Sequence, residues 1–263
     1  MVDLHSHVLP GVDDGAPDLT VALEMLRRAA ADGIRVAVLT PHLAPEDGPL
    51  QESRHREVFA ELTAAVSQAG IPVALHLGAE IGFRFGLVEV ARWPSGTLAG
   101  RGYALVDLPP GPLSPGLEQG FFELRAAGFR PILAHPERSR ALAGTPERLA
   151  RLRHLGVLLQ VDAGSLTGQF GERARRTAEA LVRRNWVELV ASDAHDLSRR
   201  VMELGPAAAR LQALAGVETT RRLLVDNPGR VVRGEPVEVA PGIPVRPGWR
   251  DLLRRLLPGR RGG

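Results

Sequence analysis

The sequence predicts a single α/β barrel, because short β-like runs alternate with longer helical patterns from the first residue to about residue 225. The runs are rich in Val, Ile, Leu or Ala, and each is followed by Gly, Pro, Asp or Ser. A length of 263 residues suits one barrel domain. The predicted strands are Val2–His7, Arg35–His42, Val73–Ile81, Tyr103–Leu108, Pro131–His135, Leu158–Ala163 and Val187–Asp193.

Helical patterns fill the segments between these strands. Asp18–Asp32 places its apolar residues mainly on one side, and Asp18 is a suitable N-cap. An open doubly wound sheet is the alternative fold, but no Gly-x-Gly-x-x-Gly motif follows the first strand. The other predicted helices are Glu52–Gln68, Phe85–Arg92, Pro115–Ala127, Pro146–His154, Glu172–Arg184 and Arg199–Ala215.

The end of the chain differs in composition from the rest. We expect residues 1–232 to form the barrel and residues 233–263 to form an appendage that is rich in Pro, Gly and Arg. Within this appendage, Trp249–Leu257 is predicted to be a short amphipathic helix. Such a helix could contact another subunit, so a homo-oligomer is one expectation.

Composition narrows the classes of function. The chain has no Cys, which excludes disulfides and leaves imidazole, carboxylate and water to hold any metal. All 33 basic residues are Arg, but 30 carboxylates leave a net charge of only +3, which gives little support to nucleic-acid binding. The sequence shows neither a signal-peptide pattern nor an apolar run of about 18 residues. We therefore expect a soluble, cytoplasmic protein without membrane insertion.

Ionisable residues recur at the ends of six predicted strands. The C-terminal ends of barrel strands open on one face, where active sites are built. A lone histidine at a strand end is more often a hydrogen-bonded core or surface residue than a ligand. Recurrence favours a metal cluster, because so many titratable groups in one mouth would be unstable without a cation. These residues are His5, His7, His42, Glu80, Asp107, His135, Asp193 and His195, and Asp13 and Asp14 lie in the loop after the first strand.

The local spacing fits this interpretation. In His5-Ser6-His7, strand alternation directs both imidazoles to one side, so one metal can take both. Asp193-Ala194-His195 repeats the spacing with one oxygen and one nitrogen donor. Glu80 and Asp107 offer carboxylates that could bridge cations, although either could instead belong to a structural ion pair. Mixed nitrogen and oxygen donors suit manganese, iron or zinc.

Two arginines follow strands that carry candidate ligands. Arg138 lies just after His135, and Arg200 lies just after His195. A guanidinium at either place could bind phosphate oxygens in a bidentate manner. With 33 arginines in the chain, a solvated surface position is the alternative for each. Asp162 ends its own strand and could hold a site residue in place without binding a metal itself.

The order of these motifs resembles the polymerase-and-histidinol-phosphatase (PHP) superfamily. The motifs are His-x-His, Asp-Asp-Gly, Thr-Pro-His, Gly-Ala-Glu, Ala-His-Pro-Glu-Arg and Ser-Asp-Ala-His. Within that superfamily, the opening His5–Gly15 is similar to the bacterial metal-dependent protein-tyrosine phosphatases of capsule and exopolysaccharide operons. The segment Gln160–Gly171 and the tripeptide Asp226-Asn227-Pro228 are also similar to that branch.

The resemblance implies a distorted, TIM-like (β/α)7 barrel that holds three divalent cations. Manganese is the first expectation, with iron, zinc or cobalt as alternatives. By resemblance, His5, His7, Glu80 and Asp193 would bind one cation, Glu80, Asp107 and His135 a second, and Asp14, His42 and His195 a third. Arg138 and Arg200 match phosphate-binding arginines, and His42 and His195 could assist catalysis. Asp107 stands where this branch usually has Glu, and its side chain is one methylene shorter.

The implied activity is hydrolysis of phosphotyrosine in protein by a metal-bridging hydroxide. The implied substrate is the Tyr-rich tail of a bacterial tyrosine kinase that controls exopolysaccharide production. An alternative is a PHP phosphoesterase that acts on a small molecule such as histidinol phosphate. A nuclease-like module is disfavoured, because the chain has only 11 Trp, Tyr and Phe residues and so offers no platform on which bases could stack. A degenerate barrel that serves as a scaffold is disfavoured by the intact set of candidate ligands.

Overall fold

The computed structural model describes residues 1–239 and 241, and in these residues it contains nine short strands. All of their pairings are parallel, as the βα alternation predicts. The strands pair in the orders β1-β2-β4 and β3-β5-β6-β7-β8-β9. They are β1 Val2–Asp3, β2 Val36–Leu39, β3 His42–Leu43, β4 Ala74–Leu77, β5 Glu80–Gly82, β6 Tyr103–Asp107, β7 Arg130–Ala134, β8 Leu158–Asp162 and β9 Leu189–Ala191.

Two predicted strands are each interrupted. Arg35–His42 divides into β2 and β3, and Val73–Ile81 divides into β4 and β5. Pro41 lies in the gap and has no N–H to donate to a ladder. The register continues across the gap, because Leu39 pairs with Leu77 and His42 pairs with Glu80. The interruption therefore divides the ladder without shifting which side chains face the mouth.

The segments after β9 and β1 are also hydrogen-bonded to each other. The Asp193 N–H donates to the carbonyl of His5 at 2.9 Å, and the His7 N–H donates to the carbonyl of Ala194 at 2.8 Å. Ser6 and Ala194 form an isolated parallel bridge. The last strand region thus lies beside the first, and the predicted distorted, TIM-like α/β barrel is confirmed.

Helices connect successive strands. Most lie within a few residues of their predicted bounds, but the prediction of Arg199–Ala215 was wrong at both ends. Asp196 accepts hydrogen bonds from the backbone N–H groups of Ser198 and Arg199, so this segment forms a turn instead. The predicted helix Trp249–Leu257 lies outside the described residues. The helices are α1 Leu19–Asp32, α2 Gly48–Gln68, α3 Leu87–Arg92, α4 Leu117–Ala126, α5 Arg140–Ala143, α6 Pro146–His154, α7 Ala163–Thr167, α8 Gly171–Arg183, α9 Gly205–Arg221 and α10 Asn227–Arg233.

Alternate strand residues build two apolar layers. Val106 and Leu133 belong to the large layer that also contains the buried helix residues, whereas Leu105 and Ile132 belong to a smaller inner cluster. Residues after α10 pack against this inner cluster. Tyr103 donates its hydroxyl to the carbonyl of Glu235 at 2.6 Å. The first residues of the predicted appendage thus contact the barrel. No helix of the described residues has the length and apolar character needed to cross a membrane.

Candidate active site at the mouth of the barrel

The candidate residues converge on one cavity of about 800 Å³. Parallel strands place their C-terminal ends on the same side, so residues far apart in the sequence meet there. His5 and His7 are fully buried and contact Glu80 and Asp193 in the cavity wall. The predicted residues that line the cavity directly are Asp14, His42, Glu80, Asp107, His135, Arg138, Asp193, His195 and Arg200.

At the centre, two imidazoles face two carboxylates. The Nε2 atoms of His5 and His7 lie 3.2 Å apart. His5 Nε2 is 3.3 Å from an oxygen of Glu80 and 3.3 Å from one of Asp193. His7 Nε2 is 3.5 Å from an oxygen of each of the same carboxylates. Donor atoms of four residues therefore point toward one small space.

Three of the histidines have a polar neighbour at Nδ1, the ring nitrogen opposite Nε2. His7 Nδ1 donates to Asp13 at 2.7 Å, and His195 Nδ1 donates to the carbonyl of Asp193 at 3.0 Å. His5 Nδ1 is 3.1 Å from the amide nitrogen of Gln160, whose oxygen is buried without a partner. A half-turn of that amide would let its oxygen accept the Nδ1–H of His5. In all three rings, Nε2 would then be free to bind a metal.

The donors form three overlapping groups in the described part of the chain. Each group has ligand atoms within 4.8 Å of one another. They are His7 with Asp14, His42 and His195, His5 with His7 and Asp193, and His5 with Glu80 and His135. Asp107 belongs to none of these groups, although its Oδ1 lies 3.6 Å from His135 Nδ1. The structure therefore brings His5 into the group in which the resemblance implied Asp107.

Electrostatics in the cluster favour positive charge. Burial opposes protonation of His135, yet the charge of Asp162, followed by Glu80 and Asp193, raises its pKa to about 10. Burial likewise opposes ionisation of Glu80, but neighbouring His5 and the hydrogen bonds from His135 and His42 hold its pKa well below its usual range. The ionised carboxylates thus attract cations to this mouth.

One buried atom gives an independent test of metal fit. Asp193 Oδ1 is buried and has no hydrogen-bond partner in the described structure. A desolvated carboxylate oxygen without a partner is costly unless a cation faces it. It lies 3.3 Å from His5 Nε2 and 3.5 Å from His7 Nε2, at the centre of the donor set. The residues present therefore fit a divalent cation.

Arg138 and Arg200 lie on the opposite oxygen of Asp193. Arg138 donates to Asp193 Oδ2 at 2.6 Å and to Asp162 Oδ2 at 3.0 Å, and Arg200 donates to the same Asp193 oxygen. The Arg138 guanidinium carbon lies 4.4 Å from the centroid of the Phe170 ring, and that of Arg200 lies 5.9 Å from it. Both guanidinium groups thus share one carboxylate and one aromatic ring.

Supporting residues were missed by sequence reasoning. Glu137 is fully buried and accepts hydrogen bonds from the Asp162 N–H at 3.1 Å and from the Ser165 hydroxyl at 2.6 Å. Gln160 and Phe170 likewise act on candidate residues through contacts described above, whereas Asp13, which also does so, was already named from the sequence. Asp13 carries a local signal, because it lies in the loop between His7 and the first helix. Phe170 carries none, because it is more than thirty residues from Arg138.

Two candidate residues have left-handed backbone conformations. His135 has a φ of 31° and Asp193 has a φ of 52°. Each directly follows a strand or lies within two residues of its end. Non-glycine residues adopt such φ values only when surrounding contacts enforce them. The backbone turn at these strand ends therefore directs both side chains into the cluster.

Gly15 allows the loop that carries Asp13 and Asp14 to lie against His7. A Cβ at this position would collide with the carbonyl oxygen and Cβ of His7. We expect Gly15→Ala to weaken metal binding and activity at least tenfold and to lower stability by about 1–3 kcal/mol. Metal titration and thermal unfolding would measure both. Gly116→Ala is the control, because its nearest neighbour is the Ser114 hydroxyl at 3.8 Å; equal effects of the two variants would contradict the prediction.

Comparison with known proteins identifies the family. The family model described as capsular polysaccharide synthesis, CpsB/CapC, matches residues 1–233. The chain is 32% identical over 248 residues to the tyrosine-protein phosphatase YwqE of Bacillus subtilis, which covers 94% of this chain and 97% of YwqE. It is 26% identical over 238 residues to the tyrosine-protein phosphatase CpsB of Streptococcus pneumoniae, which covers 88% of this chain and 98% of CpsB.

Solved structures agree with this assignment. A crystal structure from work on YwqE of Bacillus subtilis and CpsB of Streptococcus pneumoniae, which are described as metal-dependent tyrosine phosphatases, matches with a TM-score of 0.86. That match has 31% identity and covers 94% of this chain and 100% of the other. A phosphotriesterase homology protein of Escherichia coli matches with a TM-score of 0.52 at 15% identity, covering 88% of this chain and 96% of the other, and supports the fold alone. The chain therefore belongs to the CpsB/CapC family of capsular polysaccharide synthesis.

Proposed function

We propose that this chain is a metal-dependent protein-tyrosine phosphatase whose reaction takes place at the mouth of the barrel. The observation that carries the proposal is the convergence of His5 and His7 Nε2 with oxygens of Glu80 and Asp193, all within 3.5 Å. The family relatives named as tyrosine-protein phosphatases support the substrate class. The apolar run Leu108–Pro110 lines the same cavity and can contact a phenyl ring.

The three donor groups would hold as many as three divalent cations. We propose manganese, with iron, zinc or cobalt as alternatives, because mixed imidazole and carboxylate donors suit these metals. Asp107 would bind beside His135, which lies 3.6 Å away. When bound, the cations supply positive charge beside the phosphate and make water more acidic.

The protein's own residues bind and orient the phosphate. Arg138 and Arg200 would each donate to the phosphate's outer oxygens, while Asp193 holds both guanidinium groups in place. This arrangement favours the transition state, in which charge redistributes over those oxygens. His42 and His195 line the cavity, and the Nε2 atom of each lies 3.4 Å from Asp14 Oδ1. Either ring could assist the departing phenolate only while its Nε2 is not bound to metal, and the need of a phenolate for a general acid is modest.

We further propose that the natural substrate is the Tyr-rich tail of a bacterial tyrosine kinase in exopolysaccharide production. The capsular-synthesis description of the family supports this partner class. Kinases make phosphotyrosine from ATP, so the cytoplasm is the proposed compartment. From the sequence we also propose that residues 1–232 form the barrel, that a C-terminal appendage follows it, and that the protein forms a homo-oligomer.

A substrate panel tests the function. Protein stripped of metal would be assayed on a phosphotyrosine peptide and on histidinol phosphate, with Mn, Co, Zn or Mg added back separately. We expect activity to require added metal and kcat/KM to favour the peptide. Full activity after exhaustive chelation, with no bound metal found by elemental analysis, would contradict the proposal. A preference for histidinol phosphate would instead support the small-molecule alternative.

Phe170 supplies a separate prediction about phosphate binding. Phe170→Leu removes the ring beneath Arg138 and Arg200 but keeps an apolar side chain. Because cation–π contacts contribute about 0.5–2 kcal/mol, we expect kcat/KM for a phosphotyrosine peptide to fall roughly three- to tenfold. Phe122→Leu is the control, since Phe122 is 53% exposed on α4. Equal kinetics for both variants would show that the ring does not position the arginines.

A further inference from the structure

Four arginines among the described residues line the cavity, and they divide into two pairs. Arg138 and Arg200 form ion pairs with Asp193, and Arg138 also pairs with Asp162. The other two are Arg140, at the start of α5, and Arg173, in the first turn of α8. Neither of these has a carboxylate within ion-pair distance in the described part of the chain. Two of the four guanidinium groups in the cavity are therefore available to an anionic ligand.

Arg173 is held in place without being neutralised. Its Nη2 donates to the backbone carbonyl of Arg138 at 3.1 Å, and its Nη1 is buried without a hydrogen-bond partner. Burial and then the charge of Arg140 lower the pKa of Arg173, and both residues line the same cavity. Arg140 is exposed at the rim. A buried donor without a partner is costly, and an anion bound between Arg140 and Arg173 would satisfy it.

We propose that Arg140 and Arg173 form an anion subsite that binds a second negative group of the substrate, next to the phosphotyrosine being hydrolysed. This inference rests on the proposed phosphatase function and names its preferred substrate. The hydrogen bond to the Arg138 carbonyl places Arg173 directly beside the residue assigned to the scissile phosphate. A carboxylate of Asp or Glu, or the phosphate of a neighbouring phosphotyrosine, would supply the charge. Both are anionic side chains of a peptide.

The subsite also distinguishes between the two substrate classes considered. A phosphotyrosine peptide with acidic neighbours brings two anions, one for each arginine pair. Histidinol phosphate brings one phosphate and a protonated amine, which two unpaired guanidinium groups would repel. The guanidinium groups of Arg140 and Arg173 are thus suited to an acidic phosphopeptide rather than to histidinol phosphate.

Kinetics on matched peptides test the subsite. One phosphotyrosine peptide would carry Ala beside the phosphotyrosine, a second Asp, a third another phosphotyrosine, and a fourth Arg. For the metal-loaded, full-length protein we expect kcat/KM to be roughly tenfold higher for the Asp and doubly phosphorylated peptides than for the Ala peptide. The preference should decrease as salt rises, because rim charges are screened. The ratio between the two favoured peptides identifies which anion is preferred.

Variants separate binding from positioning. The double variant Arg140→Gln, Arg173→Gln should remove the preference, so that its kcat/KM values for the Asp, doubly phosphorylated and Ala peptides become equal. Arg140→Gln alone changes an exposed side chain, so it tests the subsite without risk to folding, and Arg173→Lys should retain part of the preference. The double variant Arg54→Gln, Arg92→Gln is the control, because it removes two exposed charges outside the cavity.

Four outcomes decide whether the subsite exists. Loss of the acidic preference only in the cavity variants supports the subsite. Equal rates of the wild-type protein on all four peptides would overturn it. An equal loss on every peptide in the cavity variants would also overturn it, because Arg173 would then only hold Arg138. If no phosphotyrosine peptide is hydrolysed under any metal condition, the proposed function itself fails, and that result is distinguishable from the other three.

Discussion

Glu80→Gln is expected to lower kcat/KM for a phosphotyrosine peptide by about a thousandfold or more and to reduce the bound metal. Glu80 is only 2% exposed, and its two oxygens lie near four imidazoles. They are 3.0 Å from nitrogens of His42 and His135, 3.3 Å from His5 and 3.5 Å from His7. Glutamine keeps the shape of the side chain but removes the negative charge of the Glu80 carboxylate. Bound cations and the four imidazoles would then lose the anionic group that they share.

Glu118→Gln is the matched control for this substitution. Glu118 lies on α4, where Arg148 and Arg151 bind it at the surface, and the Arg148 hydrogen bond lowers its pKa to about 2. We expect this variant to retain full activity and metal content, with at most a small change in melting temperature. Elemental analysis and peptide kinetics on both proteins would measure the contrast. Full metal content and activity in Glu80→Gln would show that Glu80 is not a ligand.

Asp193→Asn is expected to lower kcat/KM for a phosphotyrosine peptide by a similar factor. It should also lower the free energy of unfolding. The carboxylate, 1% exposed, accepts hydrogen bonds from Arg138 and Arg200 on one oxygen and faces His5 and His7 with the other. Removing one partner from a buried ionic network leaves the remaining charges uncompensated, which costs about 2–4 kcal/mol here because both arginines are partly exposed. Asparagine tolerates the left-handed backbone, so the loss is electrostatic.

Denaturant unfolding of the metal-free protein isolates this stability effect from metal binding. Asp226→Asn is the control, because Asp226 pairs with Arg221 on the exposed surface at 3.3 Å. We expect less than about 0.5 kcal/mol from the control. If Asp193→Asn unfolds at the same denaturant concentration as the wild-type protein, the ion pairs of Asp193 with Arg138 and Arg200 do not stabilise the fold.

Much of the fold and the convergence of the candidate residues followed from the sequence. Parallel strands open on one face, so His7, His42 and His135 could be assigned to one mouth from strand-end position alone. That inference needs only the order of strands and the residue that follows each. It does not need packing detail, which is why it held even where Pro41 interrupts the ladder.

Features that depend on long-range packing could not be predicted. The resemblance grouped Asp107 with His135, and Asp107 Oδ1 lies 3.6 Å from His135 Nδ1. That His5 also lies in one group with Glu80 and His135 could not be read from the sequence. The ring of Phe170, in the loop between α7 and α8, lies beneath Arg138, which is 32 residues earlier in the chain. The helix predicted from Arg199 failed for a local reason, since the Asp196 carboxylate competes for the backbone N–H groups there.

The left-handed backbone at His135 and Asp193 has a consequence for how this protein can evolve. Each such residue costs about 1–3 kcal/mol, which surrounding contacts must offset. Glycine at either position would relax the main chain and delete a donor in the same step. Selection for thermal stability alone would therefore favour the loss of ligand residues from the candidate active site. The most stable sequence for this barrel and the most active one are thus expected to differ.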